Sequence, residues 1–231
     1  MNDYHRGIWI SVLALLAGCS STPPVADWQA NTHAALQRYN AAYLSGDTRA
    51  AEQEFLRARS ESSRTGRADV VAQVELSRCA TQVASLDFDA CPGFTALAAD
   101  ATEAQRSYAA YLDGRWQDLD IKLLPPQQRE MLARLQLDSR LTGITEPLSR
   151  LVAAGALFKS GQLHLADVAV AVDTASAAGW RRPLLAWLGV QEKLAHQAGD
   201  SVTVARVQRR IDLVAKPDAG PETKSDAKRA D

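Results

Sequence analysis

Residues 41–58 read "AAYLSGDTRAAEQEFLRA", and their spacing decides the class of fold. Ala42 and Tyr43 continue a run of three- and four-residue steps that starts with Trp28, Ala35, Leu36 and Tyr39, the period that gathers side chains on one face of a helix. Gly46 is a C-terminal stop and Asp47 an N-cap acceptor, so one helix ends and the next begins within two residues. Ala51, Phe55 and Ala58 form the apolar face of that second helix, which Gly66 ends. Two amphipathic helices joined by so short a turn must lie side by side and antiparallel.

Outward from this hairpin the same punctuation recurs. A third helix over about 68–86 carries Val70, Val71, Val74, Leu76, Cys79 and Val83. Short helices are predicted at 94–99 and 102–112, the latter opened by a capping box of Thr102 and Gln105. "LLPPQQREMLARLQ", residues 123–136, begins a helix with proline in its first turn, where the missing N–H costs little. Four more helices follow at about 146–160, 163–178, 182–198 and 201–215, separated by Gly161, Gly179 and Gly199. Alanine is abundant and β-branched runs are few, so the chain is predicted to be all-α. Gly46, Ala51, Phe55 and Ala58 resemble the turn glycine, small residue, aromatic and second small residue of tetratricopeptide-type (TPR) repeats. "GALFKSGQLHLADVAVAVDTA", residues 155–175, repeats this in part: Gly161 and Ala166 fit, whereas Val170 and Asp173 depart from it. The 34-residue period is absent, so the resemblance implies TPR-like antiparallel hairpins and not a regular repeat array.

The N-terminus speaks to location. Residues 8–17 are an apolar run behind Arg6 and His5, the layout of a secretory signal, and too short to span a bilayer core that takes about 20 residues. Leu16, Ala17, Gly18 and Cys19 resemble the lipobox of bacterial lipoproteins. The resemblance implies cleavage before Cys19 and acylation of its sulfur and new amine, an anchor of several chains at about 0.8 kcal/mol per buried methylene. Ser20 resembles the residue that follows the cysteine in outer-membrane members, so the expected place is the outer membrane, facing the periplasm. The chain as a whole resembles proteobacterial cell-envelope lipoproteins, which implies location and no activity. The expected organisation is a signal peptide at 1–18, a flexible tether at 19–27, an α-helical domain at 28–215 and a disordered tail at 216–231, where prolines and alternating charges lack apolar periodicity.

With Cys19 acylated, Cys79 and Cys91 are the remaining pair, and in an oxidising compartment they are expected to form one disulfide. Net charge is −1, and removal of residues 1–18 takes one acid, Asp3, and one base, Arg6, leaving it unchanged. Such a chain has no electrostatic footprint for nucleic acid. His33, His164 and His196 stand alone with no metal-ligand spacing, and no nucleophile elbow or phosphate loop is present, so no cofactor, metal or catalytic residue is assigned. Asp87 and Asp89 are either an acid pair or turn residues, the second being favoured. In "GWRRPLLAWLGVQ", Trp180, Arg181 and Trp187 are candidates for a partner-binding surface, because Trp and Arg are enriched at binding hot spots. The competing reading is that both tryptophans are core; Trp28 and Trp116 are read as packing residues. Two functional classes follow: a non-enzymatic envelope scaffold that holds a protein or peptide, and an enzyme or cell-wall ligand binder whose site is assembled from distant residues.

Overall fold

The computed structural model describes residues 26–117, 119–137 and 140–215. The lipid site at Cys19, the signal peptide, nearly all of the tether and the tail expected at 216–231 lie outside the described residues. Among the described residues the fold is all-helical, with no strand. The helices are α1 Asp27–Ser45, α2 Thr48–Ser63, α3 Ala68–Ala84, α4 Pro92–Thr95 and α5 Glu103–Leu112. After a 3-10 turn at Ile121–Leu123 come α6 Pro126–Ala133, α7 Pro147–Lys159, α8 Leu165–Ala177, α9 Arg181–Gln197 and α10 Ser201–Ala215. No helix among the described residues is long and apolar enough to cross a membrane.

The opening hairpin forms as its residues dictate. Gly46 takes φ +97°, a left-handed conformation suited to glycine, and its N–H caps α1 on the carbonyls of Ala42 and Tyr43. The Asp47 carboxylate accepts from the N–H of Ala50, 2.9 Å away, and starts α2. Ala35, Tyr39, Ala51, Phe55 and Ala58 are buried together, with the Tyr39 and Phe55 rings 5.8 Å apart. The capping box of Thr102 and Gln105 is present on α5. One segment departs from expectation: instead of a helix at 94–99, α4 ends at Thr95 and the chain continues in tight turns closed by bonds such as Leu97 N–H to the Phe94 carbonyl.

Two helices form the centre. On α3 Val74, Glu75, Leu76 and every residue from Cys79 to Ala84 are buried, and on α7 the run from Leu151 to Leu157 is wholly enclosed. They cross at Gly155, where a Cβ would lie 2.2 Å from the Val83 carbonyl oxygen. So the main partner of α3 is α7, far along the chain, while α7, α8, α9 and α10 pack each against the next. Consecutive hairpin packing therefore holds at the two ends and is interrupted in the middle. The sulfurs of Cys79 and Cys91 are 2.12 Å apart, at bonding distance, with Cα atoms 5.8 Å apart. Leu86, between them, and Cys91 itself adopt positive φ, turning the chain back along α3.

Candidate functional site

A groove of two adjoining clefts runs along one face of α3, with the Gln105 side chain bonded to the Asp69 carbonyl and Gln73 where they meet. The clefts, of about 550 and 570 Å³, share Gln73 and Gln105 as a common waist. Its floor is the α3 stripe Val70, Gln73, Val74, Ser77 and Thr81, at helical spacing. One wall is α1, whose Trp28, Leu36 and Asn40 follow each other at one- and two-turn intervals; the other is made by the N-terminal ends of α5, α6 and α7. The α1-terminal half, around Trp28, Leu36, Val70 and Val74, is apolar in character.

The other half is built from neutral polar groups. Gln105 is held at the waist: its Oε1 accepts from the Thr102 N–H at 3.0 Å, and its Nε2 donates to the Asp69 carbonyl at 2.8 Å. The Thr81 hydroxyl donates to Asn40 Oδ1 at 2.8 Å, and both residues line the cleft. The one carboxylate in this half, Glu146, accepts from the Leu148 N–H at 2.9 Å and the Ser149 N–H at 2.5 Å, so it serves as the N-cap of α7. Burial, with the negative field of Glu146, pushes the Tyr108 phenol up, so its hydroxyl keeps its proton. No lysine or arginine lines either half.

The candidates chosen from sequence are placed elsewhere. Trp187 is fully buried, its ring Nε1–H donating to the Ala84 carbonyl at 3.1 Å and its ring in a T-shaped contact with Phe158. It belongs to the core and offers nothing to a partner, which corrects its assignment as a binding anchor. Trp180 is half-buried where the two apolar clusters meet. Arg181 turns back to the end of α10, donating to the carbonyls of Val214 and Ala215 at 3.1 and 2.9 Å. These three residues therefore do not converge on one surface. Trp116, stacked on Tyr111, is a packing residue, whereas Trp28, also expected to be one, lines the groove. Asp87 accepts the Tyr43 hydroxyl at 2.8 Å. Among the described residues no three His, Cys, Asp or Glu side chains are grouped to hold a metal ion.

Two features escaped the sequence. The polar stripe Gln73, Ser77 and Thr81, at four-residue steps on α3, was a visible signal of a polar face. The buried pair of Arg140 and Asp167 had none, since the two residues are 27 positions apart. Comparison with protein-family models, with curated proteins and with solved structures finds no match.

Proposed function

We propose that the protein is a cell-envelope lipoprotein, anchored by acyl chains on Cys19 at the outer membrane and facing the periplasm, whose helical body is a non-enzymatic binding module for a protein or peptide. The anchor rests on the lipobox-like residues 16–19. The observation that carries binding over catalysis is the lining of the α3 groove. Its polar half presents carboxamides and hydroxyls, the one carboxylate of that half is taken up by two backbone N–H groups of α7, and in the other half Asp69 pairs with Arg67 and His33 with Gln37. General acid–base hydrolysis needs titratable groups free to move a proton at the reacting bond. Neutral amides and hydroxyls instead provide directional hydrogen bonds at low desolvation cost, the usual means of orienting a ligand in a largely apolar cleft.

The test places a photoreactive residue at Gln73, in the groove, and in a control at Val202, exposed on α10. In intact cells the Gln73 position is expected to capture one discrete polypeptide and the Val202 position none. Cys19→Ala is expected to release the chain from the membrane fraction and abolish that capture. Equal capture from both positions would overturn the groove as the binding face, and membrane partition of Cys19→Ala equal to the parent would overturn the anchor.

A further inference from the structure

We infer that the polar half of the α3 groove reads the main chain of an extended, uncharged polypeptide segment, with Gln128 as its central contact; this rests on the binding-module reading above. The Gln128 side chain is 4 % exposed, lines the cleft, and makes no hydrogen bond to any described residue. Beside it the Oε1 of Gln127 is buried without a partner. The Tyr108 hydroxyl lines the same cleft, likewise unbonded among the described residues. Buried polar groups are paired in roughly nine cases out of ten, and an unpaired one costs on the order of 1–3 kcal/mol. Of these three groups, only the Gln127 oxygen is closed to solvent; the Gln128 amide and the Tyr108 hydroxyl open on the cleft without a partner among the described residues, where a ligand can pair with them.

The chemistry of those groups selects the ligand. A carboxamide carries one donor and one acceptor on a planar group, and so can pair reciprocally with a peptide unit, which has the same two functions. Asn40, Gln73 and Gln128 present such groups from three different elements; the Asn40 and Gln73 oxygens each already accept one bond, from Thr81 and Gln105, which leaves their N–H groups and the Gln128 amide for a ligand. A phosphate or carboxylate ligand is best held by lysine or arginine, and neither lines the groove. The floor from Asp69 to Thr81 covers about 18 Å at 1.5 Å per residue, which matches five or six residues of extended chain at about 3.3 Å each. The apolar end at Trp28 and Leu36 then takes a side chain of the same segment.

The probe is a blocked hexapeptide of alternating serine and alanine, compared with the same peptide N-methylated at every second amide, titrated into the full chain and followed by amide NMR. The unmodified peptide is expected to shift the groove amides saturably, and the N-methylated form to bind about tenfold more weakly, the loss of one or two neutral hydrogen bonds. Gln128→Leu is expected to weaken binding about tenfold while raising Tm by about 2–4 °C, because it removes an unpaired buried amide. A structural role for Gln128 would lower Tm instead. Tyr108→Phe, which keeps the ring stacked on Tyr111, is expected to weaken binding about threefold with Tm unchanged. Equal binding of the two peptides, a fall in Tm for Gln128→Leu, or shifts at these amides produced by an N-acetylated chito-oligosaccharide and not by the peptide would each overturn main-chain reading. Capture of a polypeptide from Gln73 alongside equal binding of both peptides would leave the binding module standing and remove only this inference.

Discussion

Charge is placed deepest in the molecule at Arg140 and Asp167, whose side chains are each 1 % exposed. The guanidinium donates to both carboxylate oxygens of Asp167 and to the carbonyls of Leu135 and Gln162, at 2.6 and 2.7 Å, and Asp167 also accepts the His164 N–H at 2.7 Å. This satisfies nearly every donor and acceptor of the pair and pins the segment after α6 to the turn between α7 and α8. A pair so enclosed adds little net stability over an apolar replacement, but removing one partner strands the other. Asp167→Asn is therefore expected to destabilise the fold by about 3–5 kcal/mol in urea unfolding, and Arg140→Met combined with Asp167→Leu to recover most of that loss. A double variant as unstable as the single one would show that geometry, and not charge, is what the pair supplies. Residue type alone misled in the case of Trp187: tryptophan is common both at hot spots and in cores, and burial against Ala84 and Phe158 decides which applies.

Between elements, the closest approach that matters is the crossing of α3 and α7. A Cβ at position 155 would sit 2.2 Å from the Val83 carbonyl oxygen and 2.8 Å from its Cγ1. Alanine gains up to about 1 kcal/mol over glycine in helix propensity, but overpacking against backbone costs about 1–3 kcal/mol, and a carbonyl within α3 has little room to retreat. The clash wins, and Gly155→Ala is expected to lower Tm by several degrees in calorimetry; a rise would show that the two helices can slide apart. The caps and stops of the helices were legible in the sequence because they depend on residues within one turn of each other. Asp47, the Thr102–Gln105 box and Gly46 each act as their spacing expects. The crossing at Gly155 was not, since "AAGALF" reads as an unremarkable helical run until Val83 is brought against it.

For the whole molecule, the question is how the opening hairpin joins the rest. Arg182, at the start of α9, donates to the Tyr43 carbonyl and to the Thr48 hydroxyl, each at 2.7 Å, and stacks 4.2 Å above the Tyr43 ring. One side chain thus links residues 139 positions apart and closes the row of helices back onto α1. Arg182→Met removes two charge-assisted hydrogen bonds and a cation–π contact, together about 2 kcal/mol. Hydrogen exchange in α1 and α2 is expected to accelerate about thirtyfold, with α8 unchanged. Uniform acceleration would mean that the hairpin and the body unfold as one unit.

Sequence alone determined the helical class, the placement of nearly every helix, and the hairpin of α1 and α2, because periodicity, capping and turn chemistry act over a few residues. Tertiary structure alone decided that α3 meets α7, that Trp187 is core while Trp28 faces a groove, and that amides from α1, α3 and α6 converge on one cleft. Which face of a helix is buried twice over, and which is left open, depends on neighbours that arrive from far along the chain, and no local pattern encodes their arrival.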